Sequence, residues 1–216
     1  MTMLAIDVVG AQPAAQTAAP AVAFRLRIEE VAGRTVHAIA LRCQVRIEPQ
    51  GRRHTSDEQE RLYELFGHPS QWSRTLRGVT WAQCAVLVPS FDARIEIDLP
   101  VACTYDLQVA SAKYLHAIRN GDVPLTFLFS GTMFSIGETG MCAEPVPWSL
   151  EATYRLPMEV WQSTMDQFFP GGGWLRLERD TIDRLQAFRG RHAVVSWDAA
   201  IDILLRAATV AQPAVK

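Results

Sequence analysis

Val123-Pro124-Leu125-Thr126-Phe127-Leu128-Phe129-Ser130-Gly131-Thr132-Met133-Phe134 is the most continuously apolar run in the chain and lies between Gly121 and Gly137. Its length and its phenylalanines, Phe127, Phe129 and Phe134, predict a central β-strand covered on both faces, because a strand with one wet face alternates apolar with polar residues. Gly131 gives such a strand nothing to pack, so it marks a bulge or a close approach of another backbone. The run sets a β-rich fold class and is silent on chemistry.

Upstream of it, alternation dominates. Leu4, Ile6 and Val8 signal a short strand, and the Ala-, Pro- and Gln-rich residues up to Pro20 read as a linker. Phe24, Leu26 and Ile28 then alternate with Arg25, Arg27 and Glu29, and beyond Gly33-Arg34 the apolar set Ile39, Leu41, Cys43, Val45 and Ile47 alternates with Arg42, Gln44 and Arg46. These two strands are expected to form a long hairpin with Cys43 facing inward. A helix follows, with Ser56 as its cap, Glu58 and Glu60 in the first turn, Leu62, Leu65 and Phe66 at helical spacing, and Gly67 at its end. Val79 to Val88 and the set Ile95, Ile97 and Leu99 are strands, and Val101, Cys103, Tyr105 and Leu107 resume one after Pro100. Val109 to Ile118 carries helix formers before Asn120-Gly121, which can close a hairpin or end a helix. The period of Leu107, Ala110, Tyr114 and Ile118 favours a short helix.

Downstream, Trp148 to Leu156 reads as a strand, and Pro157 and Glu159 open a helix bearing Val160, Trp161, Met165 and Phe168. Pro170 with Gly171 to Gly173 ends that helix and forms a joint. The expected class is mainly β, α+β overall: a two-layer antiparallel β-sandwich with inserted helices over 21–170, preceded by a strand and linker over 1–20. A small strand-helix-helix appendage over 171–208 and a disordered end over 209–216 complete the chain.

A net charge of −2 over 216 residues gives no global reason for a nucleic acid or an anionic membrane as the main partner. The four cysteines, Cys43, Cys84, Cys103 and Cys142, are widely spaced, and the chain opens without a basic and apolar leader, so a cytoplasmic protein with reduced thiols is expected. No apolar run approaches the roughly 20 residues of a membrane helix.

Candidate chemistry is sparse. Cys84, Cys103, Cys142 and His116 lack the paired spacing of a zinc site, and no metal or cofactor is expected. Ser130-Gly131 lacks a nucleophile elbow, and Gly171 to Gly173 precede no Gly-Lys-Ser or Gly-Lys-Thr, so neither covalent catalysis nor nucleotide hydrolysis is indicated. His37, His54, His68 and His192 read as solvated.

Trp174-Leu175-Arg176-Leu177-Glu178 reads as a strand, Asp180 to Phe188 as a helix capped by Asp180 with Ile182, Leu185 and Phe188 on one face, and Ser196 to Arg206 as a second helix capped by Ser196 with Trp197, Ile201, Leu204 and Leu205 inward. This segment resembles a ribbon-helix-helix unit. The resemblance implies strand pairing between two chains, hence a homo-oligomer, and DNA contact by Trp174, Arg176 and Arg179. Against the DNA reading, the segment's arginines are nearly balanced by Glu178, Asp180, Asp183, Asp198 and Asp202, whereas DNA affinity rests on neutralising phosphates.

Over nearly its full length, through Val36-His37-Ala38-Ile39-Ala40-Leu41-Arg42, Leu62-Tyr63-Glu64-Leu65-Phe66-Gly67, Cys103-Thr104-Tyr105-Asp106 and Leu128-Phe129-Ser130-Gly131-Thr132, the sequence resembles a bacterial protein family of unknown function whose members are often encoded near uptake nickel–iron hydrogenase genes. The resemblance implies a non-catalytic accessory or assembly role with a hydrogenase subunit or maturation protein as partner, and no catalytic residues. Trp161 on an exposed helix, Trp174 and Arg176 are the expected partner contacts, tryptophan being frequent in interface hot spots.

Overall fold

The computed structural model describes residues 4–104, 106–137, 140–171 and 175–211. They fall into two units, residues 1–174 and 175–216. The first runs through β1 (Leu4–Pro13), β2 (Ala21–Glu30), β3 (Val36–Ile47), α1 (Ser56–Arg61), α2 (Tyr63–Phe66), α3 (Trp72–Thr75), β4 (Val79–Val88) and β5 (Arg94–Ala102). It continues through α4 (Ala110–Ala117), β6 (Asp122–Gly137), β7 (Gly140–Pro145), β8 (Glu151–Pro157) and α5 (Met158–Phe168).

The run at 123–134 lies within β6, the strand on which the larger sheet is built. β6 pairs antiparallel with β3 from Val36↔Ser135 to Ile47↔Leu125. Its other edge is divided, with residues 122–128 paired to β8 and residues 132–137 to β7. Gly131 sits between the two partners at φ 143°, and a Cβ there would collide with the Ala40 carbonyl, with the Leu41 Cα only 3.2 Å away. Glycine is therefore required by a close backbone approach, as the sequence predicts. Pro124 is tolerated because it lies just beyond the pairing with Ile47, the last residue of β3. One expectation fails: Val123, Leu125, Phe127 and Phe129 are buried, whereas Leu128 and Thr132 are only half-covered and Ser130 is exposed. The strand thus has one dry face and one half-covered face.

Among the described residues the sheets are β1-β2-β5 and β4-β3-β6-β7, with β8 also on β6. They face each other through one core. Phe24 of β2 meets Phe127 of β6 edge-on at 5.0 Å, Trp81 of β4 at 5.9 Å and Tyr154 of β8 at 6.0 Å. Full burial of Phe24 and of Phe127 contributes about 1.5–3 kcal/mol each. The architecture is the expected antiparallel sandwich with inserted helices.

β2 and β3 do not form the expected hairpin. They lie in opposite sheets, since β2 pairs with β1 and β5, and β3 with β4 and β6. Alternation alone cannot separate the cases, because strands that pair within a sheet and strands that face across a core show the same period. The crossing at 31–35 is clamped by Glu30, which is 5% exposed and accepts from the Arg34 amide at 2.8 Å and from its Nε at 3.2 Å. Burial alone would raise the Glu30 carboxyl; the Arg34 hydrogen bonds outweigh it and hold the carboxyl below its usual range. Arg34 Nη1 also donates to Glu144 of β7 at 3.0 Å.

Other expectations are corrected. The first strand is longer than expected: β1 continues to Pro13 and pairs with β2 across its length, with an irregularity between Val8 and Gly10, which leaves the turn at 14–20 where a longer linker is read from sequence. Thr55, not Ser56, caps α1, with its side chain and Glu58 forming a reciprocal capping box. β5 passes through Pro100, which an edge strand allows, and ends at Ala102; Tyr105 lies outside the described residues and Leu107 is in a turn. The helix predicted over 109–118 is α4, while β7 gave no sequence signal strong enough to be read.

The second unit contains α6 (Arg179–Arg191) and α7 (Trp197–Ala211). Ser196 caps α7 as predicted, its Oγ accepting from the Ala199 amide at 3.1 Å. α6 starts at Arg179, after Glu178, rather than being capped by Asp180.

Candidate interaction surface

The outer face of the larger sheet follows from the alternation of its strands. With Leu41, Cys43 and Val45 turned into the core, β3 presents Ala40, Arg42 and Gln44 outward. Register places Leu87, Ala40 and Thr132 in one row, Ala85, Arg42 and Ser130 in the next, and Gln83, Gln44 and Leu128 in a third. A groove of about 620 Å³ runs over these rows, lined by Arg42, Gln44, Gln83, Ala85, Leu128, Ser130 and Trp148. A depression of about 260 Å³ adjoins it, sharing Arg42 and Ala85 and adding Ala40 and Leu87.

Trp148 is held here by backbone. Val146 donates to the Gly131 carbonyl at 3.0 Å, Leu150 to the Pro147 carbonyl at 3.1 Å, and Phe129 of β6 to the Leu150 carbonyl at 3.0 Å. A tight turn anchored to β6 at both ends thus carries the indole at its tip, 91% exposed. The strand expected to begin at Trp148 starts at Glu151, which is why the indole escapes the sheet. Leu87 is 70% exposed, and Ile136 and Met141, paired in register on the same face, are 64% and 65% exposed. Scattered exposed apolar side chains are ordinary, whereas several on one sheet face make this face a candidate surface. Arg42 has no ion-pair partner among the described residues.

The contacts chosen from sequence are Trp161, Trp174, Arg176 and Arg179. Trp161 is 6% exposed, because its face of α5, shared with Met158, Thr164 and Met165, is turned to the core; the expected exposed helix does not present it. Trp174 lies outside the described residues. Arg176 is exposed in residues 175–178, which form no strand, and Arg179 is the exposed first residue of α6. Of the α7 residues expected inward, Trp197, Ile201, Leu204 and Leu205 are 37–61% exposed, and Ala200 alone is fully buried among the described residues of that unit. A pair of helices is too small to enclose a core of its own. Arg189 instead stacks over the Trp197 ring at 4.3 Å.

A buried polar cluster lies under α1. Glu58, 3% exposed, receives Arg52 Nη2 at 3.0 and 3.2 Å, the Thr55 amide at 3.0 Å and the Arg119 amide at 3.4 Å. Arg52 also donates to the carbonyls of Arg53, Asn120 and Asp122. Beside it His54 Nε2 is 3.0 Å from the hydroxyl of fully buried Tyr114, and the ring meets Trp72 edge-on at 5.3 Å. His54 is therefore not solvated; burial first, and the Arg52 charge second, lower its pKa. Burial pushes the Tyr114 hydroxyl up. With its donors and acceptors committed to one another, the cluster ties α1 to α4 and to the start of β6. His37, His68 and His192 are exposed. Cys43 and Cys103 are core residues, and burial pushes the Cys103 thiol up to about 12. Among the described residues no three His, Cys, Asp or Glu side chains are grouped to hold a metal ion, and no helix is long and apolar enough to cross a membrane.

Residues 1–213 match the model described as "Family of unknown function (DUF6084)". The chain belongs to the DUF6084 family. No curated protein matches this DUF6084 chain. Among solved structures it is similar to a β-glucosidase from Kluyveromyces marxianus at 7% identity and a TM-score of 0.25, over 72% of this chain and 15% of that one. The same enzyme in complex with glucose matches at 11% identity and a TM-score of 0.22, over 71% of this chain and 15% of that one. Likeness at this level carries no argument about activity.

Proposed function

We propose that the protein is a non-catalytic accessory or assembly protein that binds another protein through the outer face of its larger sheet, the partner being a subunit or maturation protein of a nickel–iron hydrogenase. Trp148 carries the reading. An indole 91% exposed on a turn hydrogen-bonded at both ends is rigid, apolar and preorganised, so a partner covering it gains its buried area with little ordering cost. The groove beside it adds Arg42, and tryptophan and arginine dominate interface hot spots. The hydrogenase partner rests on the family resemblance of the sequence.

The test is affinity purification of the tagged full-length protein from its host while hydrogenase is expressed, beside Trp148→Ala and a Leu87→Ser/Trp148→Ala double variant. Hydrogenase or maturation subunits captured by the wild type should be depleted at least ~30-fold by either variant, the loss of a hot spot worth about 2 kcal/mol or more. Capture of unrelated proteins only, or capture indifferent to both variants, overturns the proposal.

A further inference from the structure

We propose that Cys43 and Cys84 are a redox modification site, a dithiol that a low-molecular-weight disulfide such as oxidised glutathione converts into a cross-strand disulfide between β3 and β4. The two residues are direct register partners. Opposed residues of an antiparallel pair project to the same side with Cα atoms about 4.5–5.5 Å apart, inside the range of about 4.4–6.8 Å that a disulfide spans. Both face the core: Cys43 is 3% exposed, and Cys84 is half-buried against the same cluster. The Cys84 thiol lies 3.5 Å from the Cys43 carbonyl oxygen. Among the described residues β4 is an edge strand of its sheet, paired with β3 only, and the register of that pair shifts between Val45 and Arg46, so β4 is less constrained than a central strand against the adjustment that bond formation needs. Cys142 instead faces Ser135, and Cys103 follows the last residue of β5, a strand of the other sheet, its amide donating to the Pro20 carbonyl.

The two thiols have unequal roles. A hydrogen bond from Cys43 lowers the Cys84 pKa, and the same hydrogen bond, with burial, raises that of Cys43. Cys84, the more accessible and more acidic, attacks one sulfur of the oxidant; the S–S bond of the oxidant breaks, and one thiolate leaves and takes up a proton. Cys43 then loses its proton to solvent and attacks Cys84 Sγ, expelling the second thiolate. Two protein thiols are oxidised by two electrons, and one oxidant disulfide is reduced to two thiols. The product fastens the sheet edge directly beneath the groove that Arg42, Gln83 and Ala85 line, although the chemistry does not depend on any partner there.

The experiment is titration of the folded full-length protein with oxidised glutathione, acid quench, alkylation of remaining thiols and peptide mapping. The expected result is a Cys43–Cys84-linked peptide that dithiothreitol reverses, with alkylation of both residues lost and that of Cys103 retained. Cys84→Ser should leave Cys43 unmodified, whereas Cys43→Ala should stop at a persistent glutathione adduct on Cys84. A wild-type protein that keeps both thiols, or that accumulates the Cys84 adduct without the link, overturns the proposal, and that result needs no variant to fold.

Discussion

Glu58→Gln tests the buried ion pair with little change of shape. Glutamine serves at the third position of a capping box, so the start of α1 survives, while Arg52, whose side chain is 10% exposed, keeps its charge and loses its counter-ion. Breaking a buried pair from one side costs about 3–5 kcal/mol. Arg52 still donates to the carbonyls of Arg53, Asn120 and Asp122, which places the expected cost near the lower limit, about 3 kcal/mol. For a chain of this size that is a fall in Tm of roughly 6–12 °C. Urea unfolding should show a lower midpoint at constant slope. Arg52→Met combined with Glu58→Gln removes the stranded charge, and the double variant should be more stable than the sum of the single losses by about 1–2 kcal/mol. A Glu58→Gln protein within about 0.5 kcal/mol of wild type, or strict additivity in the cycle, would refute the view that charge compensation anchors α1.

Gly131→Ala should cost about 2–6 kcal/mol, adding positive-φ strain to a collision with the Ala40 carbonyl, and a midpoint unchanged in urea would mean the strands are not so close. Trp161→Ala should lose about 3–5 kcal/mol and Trp148→Ala less than about 0.5 kcal/mol, so equal losses in calorimetry would contradict their burial. His54 and His116 both have lowered pKa values, chiefly through burial. Below the unfolded pKa of about 6.5 the unfolded chain therefore binds more protons, so stability complete above that pH declines as pH falls toward the folded pKa values. Urea midpoints at successive pH values should show this decline, smaller in His54→Gln; a midpoint rising on acidification through that window would be the wrong sign. Fluorescence anisotropy with duplex DNA at low salt should show no salt-dependent binding, because six arginines and five carboxylates nearly cancel between residues 175 and 211. Binding that weakens steeply with salt would restore Trp174, Arg176 and Arg179 as contacts.

The strands were legible where side-chain period is a direct consequence of one buried face, as at Phe24, Leu26 and Ile28 or at Ile39, Leu41 and Cys43. Which sheet each strand joins was not, because Val31 to Thr35 reads as a turn whether it closes a hairpin or crosses the core. The burial of Trp161 and the exposure of Trp148 were illegible for a related reason. The first lies on an amphipathic helix whose apolar face could equally meet the core or a partner, and the second is exposed only because hydrogen bonds to Gly131 and Phe129 end the sheet pairing around it. The buried cluster of Arg52, His54, Glu58 and Tyr114 left one trace, the Thr55-x-x-Glu58 box, and the pairing of His54 with Tyr114 spans 60 positions that no local pattern connects.

The divided edge of β6 also constrains the order in which the molecule can be made. Residues 122–128 remain an open template until β8, ending at Pro157, has been synthesised, and their other neighbour, β3, was completed at Ile47. Closing loops of this length before their contacts stabilise them is slow, in the millisecond-to-second regime of β-sandwiches. On a ribosome the larger sheet therefore cannot be completed until the chain through Pro157 has emerged, and until then residues 122–128 keep one unpaired strand edge.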